Sequence, residues 1–177
     1  MLGSLFPPLP GWDSLHPLVI HFPIALLLVS PVFLILALAM PRRGAQFGVA
    51  ALVLMALGTL GAFVAVSTGE QAGQLAERTP QINALLEEHE QLADTTRLTF
   101  GILTLIYAAL LVVPLFLPKL TRPRIRLPLH TAFLLVFLAG TLLLANTAHR
   151  GGLLVHQFGV HALMPGSPPT PLVNDDK

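Results

Sequence analysis

Cysteine is absent from the 177-residue chain. Disulfides, thiolate ligands and the Cys-x-x-Cys-His attachment of a c-type haem are therefore excluded, which leaves histidine and carboxylate as the strong metal ligands. Charge is scarce as well: Asp, Glu, Lys and Arg make up 11% of the residues against 54% hydrophobic, and the mean hydropathy is +0.74. A soluble domain carries about twice that share of charge. The sequence has no Gly-rich phosphate loop, no nucleophile elbow and no basic surface interleaved with aromatics. Nucleotide chemistry, Ser-His-Asp hydrolysis and nucleic-acid binding are set aside accordingly, and no independent catalytic activity is expected. A transporter is also disfavoured, because no inverted repeat and no midplane charge is visible.

What is present is apolar length. Four blocks, 18–40, 45–69, 98–118 and 127–148, contain no Asp, Glu, Lys or Arg, and each meets the roughly 20 residues that crossing a bilayer requires. The fold class that follows is all-α, an integral membrane four-helix bundle. Residues 1–15 read as an exposed leader, 16–163 as the membrane domain, and 164–177, rich in Pro, Ser and Asp, as a disordered tail. No small-x-small cleavage site ends the first block, so it is expected to be retained. Arg42 and Arg43 between the first two blocks, and Lys119, Arg122, Arg124 and Arg126 between the last two, are accompanied by no acid. The positive-inside rule puts these loops in the cytoplasm and both termini in the periplasm of a bacterial inner membrane.

Local signals refine the picture. Asp13 or Ser14 is expected to cap helix 1, with Pro17 in its first turn, while Pro23 and Pro31 each remove a backbone hydrogen bond and should bend it. Gly58, Gly61, Ala62, Ala65, Gly69 and Ala72 form a small-residue packing stripe on helix 2. Thr79-Pro80 reads as cap and first residue of a helix whose apolar face carries Ile82, Leu85, Leu86, His89, Leu92, Ala93 and Thr96. That helix is expected to run on into the third block, so that helix 3 extends beyond the membrane on the outer side and ends near Pro114 and Pro118. Pro128 is read as the start of helix 4, and Gly151-Gly152 as a break or kink in it.

The opening His16-Pro17-Leu18-Val19-Ile20-His21-Phe22-Pro23, the His89-Glu90 segment before helix 3 and the Gly151-Gly152-Leu153-Leu154-Val155 ending together resemble a family of bacterial four-helix membrane proteins filed as a domain of unknown function, DUF2231. The resemblance covers roughly residues 14–161. It implies a four-helix membrane fold and, through members that look like partners of respiratory or cytochrome-type proteins, electron transfer. Where family members end in a tyrosine- and glycine-rich segment, this chain has His156 and His161.

Six of the seven histidines fall on one side of the membrane, and ionisable groups at a membrane boundary are functional candidates by default. Taking the block edges as a depth ruler, His16, His21 and His149 form one layer. His89 lies roughly 13 Å further out, level with His156 or His161. The first reading is haem b, bound by His21 with His149 or by His89 with His156, and with Arg97 or Arg150 holding the propionates. The second is a zinc, copper or iron site drawn from His16, His21, His89, His149 and His156 with Glu70 or Glu90. In the haem reading Glu70 and Glu90 orient imidazoles. The third is a structural or interaction subunit without cofactor. Expected partners are the lipid bilayer, a respiratory or cytochrome protein and a second copy of the chain.

Overall fold

The computed structural model describes residues 11–76 and 79–160, apart from the Asp13 side chain. Residues 1–10, the tail from 164 and His161 lie outside the described residues. A 3-10 turn at Trp12–Ser14 leads into α1 (His16–Val19) and α2 (His21–Ala39). These are followed by α3 (Gly44–Gln74), α4 (Pro80–Phe116), a second 3-10 turn at Pro118–Thr121, and α5 (Pro123–His156). Short connections force an up-and-down order. α2 packs on α3, α3 on α4 and α4 on α5, and α5 closes the ring against α2.

Four helical stretches are long and apolar enough to cross a membrane, with α1 and α2 acting as one. Their outward faces carry exposed apolar side chains such as Phe22, Val32, Leu60, Leu105 and Leu142, the surface expected of a bundle solvated by lipid. At one end, here the acidic end, lie Glu70, Glu87, Glu88, Glu90 and Asp94; at the other, the basic end, lie the two loops of Arg and Lys.

The interior is built from Leu27, Met55, Phe100, Tyr107, Phe137 and Leu144, all buried. Phe100 meets Phe137 edge-on at 5.2 Å and Tyr107 stacks on Phe133 at 4.9 Å, geometries that aromatic quadrupoles favour. The small-residue stripe of α3 does what its composition suggests. A Cβ at Gly58 would stand 2.8 Å from Leu27, and one at Gly61 would stand 3.3 Å from Pro23, so the glycines are what let α2 approach. A separate small core, Ile82, Leu85, Leu86 and Leu154, joins the start of α4 to the end of α5 at the acidic end.

Thr79 accepts a hydrogen bond from the Ile82 amide as the N-cap of α4, with Pro80 next. α4 is 37 residues long, about 55 Å at 1.5 Å per residue, and so exceeds the bilayer core as expected. It runs through Pro114 and stops at Phe116, before Pro118.

Four local expectations are corrected. The N-cap of α1 is Leu15, with no side-chain cap; Ser14 is instead buried in the preceding turn. Pro23 does not sit mid-helix, because the helix is interrupted at Ile20 and Pro23 falls in the first turn of α2. The missing Pro23 N–H would have bonded the Val19 carbonyl, and the break falls at that carbonyl. α5 starts at Pro123 rather than Pro128, since the extended Arg122 before Pro123 already supplies the boundary. Gly151-Gly152 do not break α5, which continues to His156 because Leu154 is held in the small core.

Candidate functional site: two cradled histidines at the acidic end

α1 and α4 each project one partly buried histidine against a neighbouring helix. His16 Nδ1 donates to the Ala65 carbonyl of α3 at 2.9 Å, with the Thr68 hydroxyl 3.2 Å away. His89 Nδ1 donates to the Thr147 carbonyl of α5 at 3.1 Å. In both cases a glycine follows the accepting residue by four positions, Gly69 after Ala65 and Gly151 after Thr147. A helical side chain leans back over the preceding turn, so the residue at i+4 would normally shield carbonyl i from the side. Glycine uncovers it. A Cβ at either Gly69 or Gly151 would stand 2.9 Å from the Cε1 of its histidine.

Threonines complete the cradles. Thr68 is buried and returns its hydroxyl to the Val64 and Ala65 carbonyls. Thr147 shares a 2.7 Å hydroxyl bond with Thr96 of α4 and also donates to the Leu143 carbonyl. Because each Nδ1–H faces a carbonyl, which can only accept, both rings are fixed as the tautomer that leaves Nε2 bare.

His16 opens the charge-free stretch formed by α1 and α2, whereas His89 precedes that of α4. The neighbours of Gly69 and Gly73 bring the levels of His16 and the 89–90 step closer together than the block edges imply. The block edge at Leu98 was a poor ruler of depth. Arg97 is paired with Asp94 at 2.8 Å and lies 5.6 Å over the Phe63 ring, so charge-bearing α4 is level with the apolar span of α3. A Cβ at Gly73 would meet Glu90 Oε1 at 3.1 Å, which aligns the 89–90 step with Gly69–Gly73 and hence with His16.

The remaining candidates lie elsewhere. His21 is exposed and donates to the Pro17 carbonyl of its own turn at 2.8 Å. His149, His156 and Glu70 are exposed, so neither expected haem pair, His21 with His149 or His89 with His156, is gathered in the interior. Arg150 pairs with Glu88 at 2.9 Å. The Nε–H groups of Arg97 and Arg150 are buried without an acceptor, and the Arg97–Asp94 contact is an ion pair that leaves Asp94 Oδ1 outside hydrogen-bond geometry. Among the described residues no three of His, Asp and Glu come together as a metal site, which goes against the multi-ligand reading for His16, His21, His89, His149, His156, Glu70 and Glu90.

The family model described as "Predicted membrane protein (DUF2231)" matches residues 13–163. The chain belongs to the DUF2231 family. The matched stretch includes both histidines, both cradle glycines and all four spans. No curated protein and no solved structure matches this DUF2231 chain. The sequence by itself reads Gly151 as a helix break or kink and His16 as a metal candidate or interfacial cap, not as a haem ligand. The available signal was the glycine four residues after a polar or small residue, at the level of a histidine on the next helix.

Proposed function

We propose that this DUF2231 protein is a haem-b-binding subunit of the bacterial inner membrane, serving electron transfer or a respiratory partner, with His16 and His89 as the residues that would hold the haem. The observation that carries the reading is the twofold cradle: two imidazoles from different helices, each tethered through Nδ1 to a backbone carbonyl and each with its Nε2 turned away from that bond. Such a tether fixes ring orientation and raises the basicity of the coordinating nitrogen. When bound, haem supplies one-electron chemistry at its iron. The chain's own contribution is to hold both rings oriented, and to offer the unmatched Nε–H donors of Arg97 and Arg150 to carboxylates. Two imidazoles suffice for haem, whereas a non-haem site needs three or more ligands. Haem is therefore favoured over zinc, copper or iron alone.

The positive-inside rule supports cytoplasmic basic loops and periplasmic termini. A second reading, a structural or interaction subunit without cofactor, is favoured by the fact that both rings already clip helices together. Oxidised and dithionite-reduced spectra separate the two. In the haem reading, reduced α and Soret bands appear in the wild type and are lost in His16→Ala and His89→Ala but kept in His21→Ala. A featureless spectrum after haem supplementation during expression selects the cofactor-free subunit.

A further inference from the structure

The two ends of the bundle treat charge differently. At the acidic end Arg97 and Arg150 are paired with Asp94 and Glu88. At the basic end Arg42, Arg43, Lys119, Arg122, Arg124 and Arg126 have no acid in their loops, and none of the six is ion-paired among the described residues. The other five are exposed, but Arg126 is partly buried. A Cβ at Gly44 would lie 3.8 Å from its Nη1, so the side chain lies close to the start of α3. The His130 Nδ1–H donates to the Arg126 carbonyl at 2.9 Å.

Arg126 and His130 are also the two polar members of a cleft of about 150 Å³ between α4 and α5. Its walls are otherwise apolar: Val113 and Pro114 on α4, Leu129 on α5, and Leu120 closing it from the turn between them. Around it Leu115, Phe116, Leu117 and Leu127 are exposed, so the cleft opens onto surface that faces lipid. An arginine without an acidic partner in the lining of an apolar cleft matches an amphiphile with an anionic head.

We propose that this cleft binds one anionic phospholipid, its phosphodiester on the Arg126 guanidinium and an acyl chain between Val113 and Leu129. Two properties select it over other occupants. The apolar walls give a free phosphate nothing beyond Arg126 and His130, and a cluster of cations without acids favours a lipid of net negative charge over a zwitterionic one. A guanidinium binds a phosphate through paired N–H donors, which an amide cannot reproduce. The inference is independent of the histidine site at the opposite end.

The test is native mass spectrometry of the delipidated full-length protein in mild detergent, titrated with dioleoylphosphatidylglycerol, dioleoylphosphatidylcholine and inorganic phosphate. One phosphatidylglycerol should bind in preference to phosphatidylcholine, undisplaced by phosphate at matched concentration. Arg126→Gln should weaken it about fivefold, while Arg43→Gln changes it less than twofold. Val113→Trp, at the lipid-exposed rim, should block it and keeps the test intact if Arg126→Gln does not fold. Equal binding of the two lipids, displacement by phosphate, or wild-type affinity in Val113→Trp would overturn the proposal.

Discussion

His16 and His89 hold their places through glycine, and that makes the glycines the sharper probes. Gly69→Ala or Gly151→Ala forces an imidazole that now sits 2.9 Å from the new Cβ to swing away from its carbonyl. Either change should destabilise the protein by about 1–3 kcal/mol, read as a lower Tm in detergent. Gly152→Ala is the control: a Cβ there meets nothing within 4 Å, and alanine's better helix propensity should leave stability unchanged or raise it by up to about 1 kcal/mol. Equal losses at Gly151 and Gly152 would contradict the cradle.

Which histidine faces inward was not legible from sequence. His16 and His21 are five residues apart, about 140° around a helix, so they cannot share a face, and the choice belongs to where Gly69 sits on another helix. Tyr107 carries a separate expectation: its hydroxyl is buried without a partner, so Tyr107→Phe should be neutral or stabilising in thermal unfolding.

Among the elements, the starts and stops marked by side chains were legible and those decided by packing were not. Thr79-Pro80 and the apolar face from Ile82 to Thr96 announce α4 unaided, because cap chemistry and periodicity are local. The continuation of α5 through two glycines is not local. It depends on Leu154 reaching Ile82, Leu85 and Leu86, contacts some seventy residues away along the chain. Leu154→Ala should cost about 2–5 kcal/mol if unfolding is global. Hydrogen exchange should quicken at 80–90 and 150–156 well before it does at 100–107, where Phe100 and Tyr107 are fully buried. Uniform acceleration along α4 would show that the acidic-end core is not a separable unit.

For the whole molecule, composition alone was enough for an all-α membrane bundle, because four charge-free stretches admit little else in lipid. Depth was harder to read. Asp94 and Arg97 neutralise one another and Arg97 lies over Phe63, so charged residues reach a level that a charge-free block cannot reveal. Orientation is open to a direct check, since the chain lacks cysteine. Gln74→Cys should react with a membrane-impermeant maleimide added to intact spheroplasts, and Arg122→Cys only after lysis; the reverse pattern would invert the topology. The measurement that bears most directly on the central claim is the dithionite-reduced minus oxidised spectrum of the purified protein, wild type beside His16→Ala, His89→Ala and His21→Ala. Cytochrome-like α and Soret bands in the wild type and His21→Ala, absent from His16→Ala and His89→Ala at retained fold, are the predicted result. A wild type without bands after haem supplementation, or bands that survive loss of both cradled histidines, would contradict it.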